Sequence, residues 1–437
     1  MRLIFSKNNK LSSSDFEKCA IKEDSEEIEN NPSSFNMITF FIFIMAIIIL
    51  ILIIIFAIIY HFLIKPDIQK SRRYQDPILL LNYKGKLKIA KYVSDCFNGI
   101  LYDNNKYNKS ENPKISVVIP VYNKEKFLLR VLRSIQNQSL KDIEIIFCDD
   151  GSYDNSTKLI EEFQKKDERI ILIRHGINKG TLISRNDGAN TAKGEFLLFH
   201  DGDDLLVNNI LEKSFLKAKE NDIDIIQYQT YYGDIYKSFF CSNINRTEKI
   251  MYQPEISSLM YYEKGFPFQT EFNLWGKLIK RETFMETIKS IDEYYLSQNM
   301  SLHEDGLMLF ALFKKAKSYL FINEYGLLHY TNENSTMRTL RNKNNINKAT
   351  KDSFLYLEFM FNYTNDTLYE KNMAICQFKF LINTFNDIFL NTTQGFDYVY
   401  NIIDLYINCK AISEEDKAFI RNIKEQFQKT EKNCYIN

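Results

Sequence analysis

The chain has 437 residues, 45% of them hydrophobic, and its formal net charge at pH 7 is zero. This apolar content supports a folded core and excludes general disorder. The neutral balance gives no support for nucleic-acid binding as the main role. The seven cysteines and five histidines form no Cys-x-x-Cys or His-x-x-x-His pair, so we expect neither a structural zinc site nor a disulfide framework.

The N-terminal part divides into three segments. Residues 1–36 are polar and mildly acidic, which is typical of a disordered tail. Residues 37–64 contain a run, residues 40–60, with no polar side chain beyond one tyrosine hydroxyl. At about 1.5 Å per residue this run matches the thickness of a bilayer interior, so we predict a transmembrane helix and a membrane anchor. Residues 65–112 are basic and polar, and we interpret them as a stem.

Four short apolar runs follow, at residues 115–119, 143–147, 170–173 and 196–199. Runs without polar alternation are typical of strands buried on both faces, and segments with helical spacing lie between them. Helices between such strands imply right-handed crossovers and a parallel sheet. We therefore predict an α/β domain with a mostly parallel sheet over residues 113–340.

Acidic side chains come directly after two of these strands. Asp149 and Asp150 follow the second run, while Asp201 and Asp203 follow the fourth, separated by Gly202. Ligands of open α/β sheets bind at the carboxyl ends of the strands. This placement predicts a binding site at that edge of the sheet.

Residues 341–437 have a different character, with helical spacing and no group of side chains that suggests chemistry. We interpret this region as a helical extension that packs on the domain or docks a partner. One helix there is predicted from an apolar stripe, formed by Ala374, Phe378, Leu381, Ile382, Phe385 and Phe389.

Four motifs in order, at residues 116–123, 148–152, 184–195 and 200–204, resemble those of glycosyltransferase family 2. The resemblance covers about residues 115–340, and the ordered set is far more specific than any single motif. It implies a GT-A fold, with a Rossmann-like, mostly parallel sheet flanked by helices. It also implies a nucleotide-diphospho-sugar donor and inversion at the anomeric carbon of the sugar.

A divalent cation is expected in such a site, because the leaving pyrophosphate carries extra negative charge. Mn²⁺ or Mg²⁺ would be held by one or two carboxylates together with the phosphates. By resemblance, Asp203 is the main metal ligand and Asp201 is a second ligand that lies nearer the ribose. A polar turn that caps the next helix is the alternative explanation of this motif. His329 is a further candidate ligand.

The resemblance also assigns the residues that bind the donor. Asp150 would accept a hydrogen bond from the base, usually uracil, with Asp149 beside it, and Pro120 and Tyr122 would form a wall against that base. Arg185 would fix the acidic residues or the donor. The alternatives are a capped turn for the aspartates, a core position for the tyrosine and an exposed helical position for the arginine.

The acidic pair Glu304-Asp305 precedes an apolar helix and matches the family's catalytic pair. By resemblance Asp305 is the general base, since the acceptor hydroxyl must lose its proton as it attacks. Acidic residues in a first helical turn also stabilise the helix dipole without any catalysis. We interpret His200 and His303 as structural, and Trp275 as either an acceptor-side sugar platform or a core residue.

The sequence as a whole predicts a membrane-anchored, metal-dependent, inverting glycosyltransferase. It would move a sugar, most readily from a UDP-sugar, to a hydroxyl of a glycan or glycolipid. A dolichyl-phosphate sugar synthase is one alternative, although Asp305 argues against it because a phosphate acceptor is already ionised. A catalytically silent relative that serves as a membrane-bound scaffold subunit is another. The retention of Asp150, Asp203 and Asp305 argues against that alternative.

The side of the membrane is predicted from two opposing signals. Basic residues after the apolar segment favour a cytosolic domain by the positive-inside tendency. Nine Asn-x-Ser/Thr sequons after residue 64 favour a luminal domain that is glycosylated. We expect a single-pass protein of the endoplasmic reticulum or Golgi with a luminal catalytic domain.

Overall fold

The computed structural model describes residues 107–207, 209–234, 238–241, 248–260, 273–330, 343–365 and 367–436. The predicted tail (residues 1–36), the predicted transmembrane helix (37–64) and most of the predicted stem (65–112) lie outside these residues. The described residues all belong to one compact unit, Ile78–Asn437.

The predicted membrane localisation is corrected by the structure. No helix in the described ranges is long and apolar enough to cross a membrane, and this finding contradicts the single-pass localisation in the endoplasmic reticulum or Golgi. The longest described helices, near the C-terminus, carry several charged side chains each, which a bilayer interior does not tolerate.

Ten strands of the described residues form one mixed sheet in the order β3-β2-β1-β4-β9-β6-β10-β5, with β7 paired to β6 and β8 paired to β10. The strands are β1 (Ile115–Val121), β2 (Ile143–Asp149), β3 (Ile170–Arg174), β4 (Phe196–Phe199), β5 (Leu205–Leu206), β6 (Ile225–Asp234), β7 (Ser238–Cys241), β8 (Ile250–Tyr252), β9 (Lys277–Lys280) and β10 (Ser318–Tyr330).

The first half of the sheet agrees with the prediction from the apolar runs. Strands β3, β2, β1 and β4 lie side by side and pair in parallel. Alternate residues of β1 point to opposite faces, so Val117 and Val118 belong to two different hydrophobic clusters. Both residues are fully buried, which explains why these strands lack polar alternation.

The second half of the sheet corrects the prediction of a mostly parallel arrangement. Strand β9 runs antiparallel to both of its neighbours, β4 and β6, whereas β6 and β10 pair in parallel. A strand pattern in the sequence indicates burial but not direction, so this reversal was not predictable from residue types. Strand β10 is continuous through a bulge, where a Cβ on Gly326 would lie 2.2 Å from the ring of Tyr228.

Helices cover both faces of the sheet and form the C-terminal region. They are α1 (Glu125–Gln136), α2 (Ser156–Gln164), α3 (Thr181–Thr191), α4 (Ile210–Asn221), α5 (Glu255–Ser258), α6 (Arg281–Lys289), α7 (Glu293–Leu296), α8 (Glu304–Lys315), α9 (Lys343–Tyr363), α10 (Leu368–Phe389), α11 (Phe396–Asn408) and α12 (Glu414–Ile436).

The C-terminal helices share a hydrophobic core with α8. The stripe predicted on α10 is buried at all six positions and belongs to the same cluster as Leu307 and Phe310 of α8. At the start of α12, the Ser413 hydroxyl accepts the backbone N–H of Asp416 and donates to its carboxylate, so the serine caps the helix as in the first half of a capping box. The domain boundaries before residue 113 and after residue 340 stay predictions.

Candidate active site

Carboxylates gather at the carboxyl edge of the parallel strands. Asp149 and Asp150 lie at the end of β2, and Asp201, Asp203 and Asp204 lie just beyond β4. Strand β1 pairs with both β2 and β4, so the two groups flank one strand. This is the edge at which the sequence predicted a site.

Arg185 of α3 connects these carboxylates to the acidic pair of α8. Only 3% of its side chain is exposed, so the alternative of an exposed helical arginine is wrong. Its Nη2 donates to Asp201 Oδ1 at 3.0 Å, and its Nη1 donates to Asp305 Oδ1. Nη1 also lies 3.7 Å from Glu304 Oε1. One guanidinium therefore connects the end of β4 to the start of α8.

The protonation of the acidic pair is shifted by this environment. Burial, and then the charge of Asp305, raise the pKa of Glu304 to about 8. Burial also raises the pKa of Asp305, while Arg185 lowers it. Glu304 therefore holds a proton near neutral pH, whereas Asp305 has the cationic partner that favours a charged carboxylate. Of the two, Asp305 is the better placed to accept a proton.

A loop before β9 supports Asp305 from the other side, and the sequence did not predict it. The backbone N–H of Leu274 bonds to the Asp305 carboxylate, and the charge of Lys277 lowers its pKa. The Lys277 side chain is fully buried and its Nζ donates to Asn273 O at 2.7 Å. The available signal was a lysine within an otherwise apolar run, since buried lysines are rare without partners.

The other acidic segment, which follows β4, is held by two cations of the β1–α1 region. Lys124 Nζ lies 2.5 Å from Asp203 Oδ2, and Arg130 Nη2 donates to Asp203 O at 3.0 Å. Burial raises the pKa of Asp203, and Lys124 opposes that shift. A Cβ on Gly202 would lie 3.3 Å from Pro120 O, so glycine permits this close approach. Neither cation was predicted as a site residue.

The carboxylates suit a cation that a substrate helps to bind. No group of three or more His, Cys, Asp or Glu side chains in the described part of the chain forms a ready-made metal cage. Asp201 and Asp203 supply two carboxylates, and 29% and 14% of their side chains are exposed. In Mg²⁺ and Mn²⁺ sites of this kind, the protein usually supplies one or two carboxylates, and the phosphates of the substrate supply further oxygen ligands.

His329, the further candidate metal ligand, contacts a carboxylate through one of its two ring nitrogens. Its Nδ1 lies 3.0 Å from Asp204 Oδ2, and its ring stacks on Trp275 with 5.0 Å between centroids. Burial opposes protonation of His329, but Asp204, Asp201 and Asp203 outweigh it and raise the pKa to about 9. A histidine that binds a metal through one nitrogen commonly donates its other N–H to a carboxylate, so the role of His329 as a ligand stays a prediction.

The tryptophan and the two other histidines considered in the sequence analysis are structural in this geometry. Trp275 is buried, with 6% exposure, which fits the core alternative rather than a sugar platform. His200 is buried and its Nε2 donates to Asp204 O at 3.2 Å. His303 precedes α8, lies 3.1 Å from Ser353 Oγ, and burial lowers its pKa to about 3.

The predicted donor-binding residues occupy the end of β2 and the loop after β1. The Asp150 carboxylate is buried and accepts the backbone N–H groups of Lys179 and Gly180, each at 2.8 Å. Asp149 accepts the N–H of Ser152 and the hydroxyl of Thr157, as in a capped turn. Each carboxylate oxygen has two acceptor positions, so Asp150 retains capacity for a ligand.

An aromatic surface lies beside these aspartates. Tyr122 is 43% exposed and its ring meets that of Tyr153 edge-to-face at 6.1 Å. Pro120, two residues earlier, is half-buried. The core alternative for Tyr122 is therefore wrong, because this ring is available to stack on a planar ligand.

The comparisons with known proteins agree with this geometry. Residues 116–276 match the model described as Glycosyl transferase family 2. Over 322 residues the chain is 29% identical to the cholesterol galactosyltransferase of Borreliella burgdorferi, and the alignment covers 69% of this chain and 84% of that protein. Over 109 residues it is 38% identical to the GalNAc(5)-diNAcBac-PP-undecaprenol beta-1,3-glucosyltransferase of Campylobacter jejuni, covering 25% of this chain and 35% of that protein.

A solved structure has the same fold. The chain is similar to S. aureus TarS 1-349 in complex with UDP-GlcNAc, with a TM-score of 0.56 and 15% sequence identity. The match covers 73% of this chain and 90% of that chain. At this identity the likeness establishes the α/β GT-A fold alone.

Proposed function

This chain carries a glycosyltransferase family 2 domain and is a glycosyltransferase, and from that premise we propose its reaction. It transfers a sugar from a UDP-sugar to a hydroxyl of a glycan or glycolipid acceptor, with inversion at the anomeric carbon and dependence on Mn²⁺ or Mg²⁺. The solved relative with UDP-GlcNAc supports a nucleotide-sugar donor. The names of the galactosyltransferase and glucosyltransferase relatives give different acceptors. The proposal therefore specifies the reacting group of the acceptor, a hydroxyl, and not the acceptor molecule.

The observation that carries this proposal is the double contact of Arg185. The guanidinium joins Asp201, on the proposed donor side, to Asp305, on the proposed acceptor side. A transferase must hold its two substrates in one geometry, because alignment of the reacting atoms supplies much of the rate enhancement. A buried arginine with a planar fork is well suited to fix two carboxylates relative to each other.

In the proposed mechanism Asp305 takes the proton from the acceptor hydroxyl. Arg185 and the Leu274 N–H hold the carboxylate in position and favour its charged form, as a general base near neutral pH requires. Glu304 is protonated near neutral pH and adds no second negative charge beside the attacking oxygen. Its role is to donate a hydrogen bond or to position the acceptor.

On the donor side, Asp150 accepts the N–H of the base and Tyr122 stacks against its ring. Asp203 and Asp201 would hold the divalent cation, which when bound neutralises charge on the departing diphosphate. Lys124, in contact with Asp203, supplies further positive charge at the same place. A lipid-phosphate acceptor is the second candidate, but an ionised phosphate would have no use for Asp305.

The experiment that tests the proposal is a donor panel with the full chain. We expect release of UDP from a UDP-sugar in the presence of Mn²⁺ and an acceptor hydroxyl, and loss of that release with a chelator. NMR of the product should show the anomeric configuration opposite to that of the donor. Retained configuration would contradict the proposed inversion.

Asp222→Asn is the matched control for substitutions of the site aspartates. Asp222 lies at the end of α4 with 90% of its side chain exposed, and it pairs only with Lys280 among the ion pairs described. Turnover by this variant should equal that of the wild type. An equal loss in Asp222→Asn and Asp305→Asn would show that the assay reports general damage and would contradict the assignment of the site.

A further inference from the structure

His175 is held between two carboxylates at the end of β3. Its Nδ1 lies 2.8 Å from Asp150 Oδ1, and its Nε2 lies 2.9 Å from Asp187 Oδ2. The ring is 3% exposed and Asp150 is 5% exposed, whereas Asp187 on α3 keeps 40% exposure. The histidine therefore links a buried carboxylate in the site to a second carboxylate near the solvent.

These contacts define the hydrogen bonds that the ring can make. An ionised carboxylate only accepts hydrogen bonds, so a ring nitrogen that bonds to one must carry a hydrogen. Both nitrogens of His175 lie within hydrogen-bond distance of a carboxylate oxygen. Asp150 thus has a ring nitrogen as the partner of its Oδ1, in addition to the two backbone N–H groups.

The backbone around this group leaves little freedom for another arrangement. The backbone N–H of His175 donates to the backbone carbonyl oxygen of Asp149 at 2.9 Å. Gly151 has a φ of +75°, and a Cβ there would lie 2.9 Å from the Ile177 backbone. The turn after β2 and the loop after β3 are therefore in direct contact, and the His175 ring enters between Asp150 and α3.

We propose that His175 is a positioning residue that holds the Asp150 carboxylate in place as a hydrogen-bond acceptor and thereby makes the site selective for bases with a ring N–H. The inference rests on the proposed function, in which Asp150 contacts the base of the donor. Uracil presents N3–H to such an acceptor, whereas cytosine presents an unprotonated N3, which repels a carboxylate. Asp187 acts through His175, because it contacts the second nitrogen of the ring.

The test measures binding of UDP and of CDP by calorimetry, with Mn²⁺, to the full chain. Wild type should prefer UDP. His175→Gln should bind UDP roughly 10-fold to 100-fold more weakly, as expected when a displaced Asp150 carboxylate no longer accepts the uracil N3–H, with little change for CDP. The KM for the UDP-sugar should rise by the same factor at nearly constant kcat, because the reacting atoms are untouched.

Two further variants separate positioning from misfolding. Asp187→Asn alters a partly exposed side chain that does not touch the proposed base, and it should reduce the preference for UDP in the same direction by a smaller factor. His303→Gln removes another buried histidine, one with no carboxylate among its described hydrogen-bond partners, and should leave the UDP-to-CDP ratio unchanged even if its melting temperature falls.

Asp150→Asn distinguishes failure of this inference from failure of the proposed function. If wild type shows no preference for UDP, or if Asp150→Asn keeps that preference, the assignment of Asp150 to the base is wrong and the inference fails with it. If Asp150→Asn abolishes the preference while folded His175→Gln and Asp187→Asn retain it, the role of His175 alone is overturned.

Discussion

Replacement of Arg185 by methionine should destabilise the protein and should do so more strongly at higher pH. The guanidinium contacts Asp201, Glu304 and Asp305, and removal of one member of a buried ion pair costs about 3 to 5 kcal/mol. The three carboxylate side chains are 15–29% exposed, so solvent screening should reduce the loss in the free energy of unfolding to about 2 to 3 kcal/mol at pH 7.5.

The dependence on pH follows from the sign of the shift. Without the cation, the pKa values of Glu304 and Asp305 in the folded variant lie further above those in the unfolded chain. A raised pKa in the folded state means that stability is lost as pH rises, so the difference from wild type should shrink towards pH 5. Urea denaturation at pH 5 and pH 7.5, followed by circular dichroism, measures both values.

Arg174→Met provides the control for this experiment. Arg174 pairs with Glu161 at the surface, with 51% and 43% of the two side chains exposed, and exposed pairs contribute about 0 to 1 kcal/mol. Equal destabilisation by the two variants, or a loss for Arg185→Met that does not grow with pH, would refute the role assigned to the buried arginine.

Three other substitutions have distinct expected outcomes. Glu304→Gln should become more stable relative to wild type as pH rises from about 4.5 to about 8, the usual and the raised pKa of this carboxyl, because over that range the unfolded wild-type chain ionises and the folded one does not; melting temperatures at pH 5 and pH 9 test this, and parallel curves would contradict it. His329→Gln should lose the stabilising contact with Asp204, and its deficit in stability should shrink as pH rises from about 6.5 to about 9, the usual and the raised pKa of the ring, because only the charged ring stabilises the folded state; a deficit constant over that range would oppose this. In the absence of nucleotide, Lys124→Met should bind Mn²⁺ roughly 10-fold more tightly than wild type, because the lysine ammonium no longer competes with the cation for Asp203. Electron paramagnetic resonance of free Mn²⁺ gives the affinity, and unchanged binding would exclude such competition.

The first half of the fold was predictable because its strands are buried on both faces. Such strands appear in the sequence as unbroken apolar runs, and acidic residues after them mark the ligand edge of the sheet. The direction of β9 was not predictable, because residue types encode burial and spacing rather than orientation. The same limit applies to the bulge at Gly326, where a side chain larger than that of glycine would clash with Tyr228, a residue almost one hundred positions earlier.

The site was predictable where a motif keeps its residues close in sequence. Asp201 and Asp203 are two residues apart, and Glu304 and Asp305 are adjacent. The cations that organise them come from distant segments, such as Lys124 from the start of α1 and Lys277 from β9. Their roles depend on which strands are neighbours, which sequence spacing does not specify.

The sequence also left the positions of single side chains open. Tyr122 and Trp275 both lie in motifs of mixed apolar character, yet one ring is 43% exposed and the other 6%. The difference arises because Trp275 stacks on His329 from the neighbouring part of the sheet, whereas Tyr122 meets only the edge of Tyr153 among the described rings. Long-range packing decides such cases, and local pattern does not.

One paired measurement tests most directly whether this site transfers sugar as proposed: UDP binding and sugar transfer, measured separately for Asp203→Ala and Asp305→Asn with Mn²⁺ present. Asp203→Ala should lose Mn²⁺-dependent UDP binding and transfer together. Asp305→Asn should bind UDP as wild type does, while transfer falls roughly 10² to 10⁴-fold. Transfer that survives both substitutions and a chelator would contradict the proposed metal and base, and weakened UDP binding at unchanged turnover in Asp305→Asn would make that residue a binding group instead.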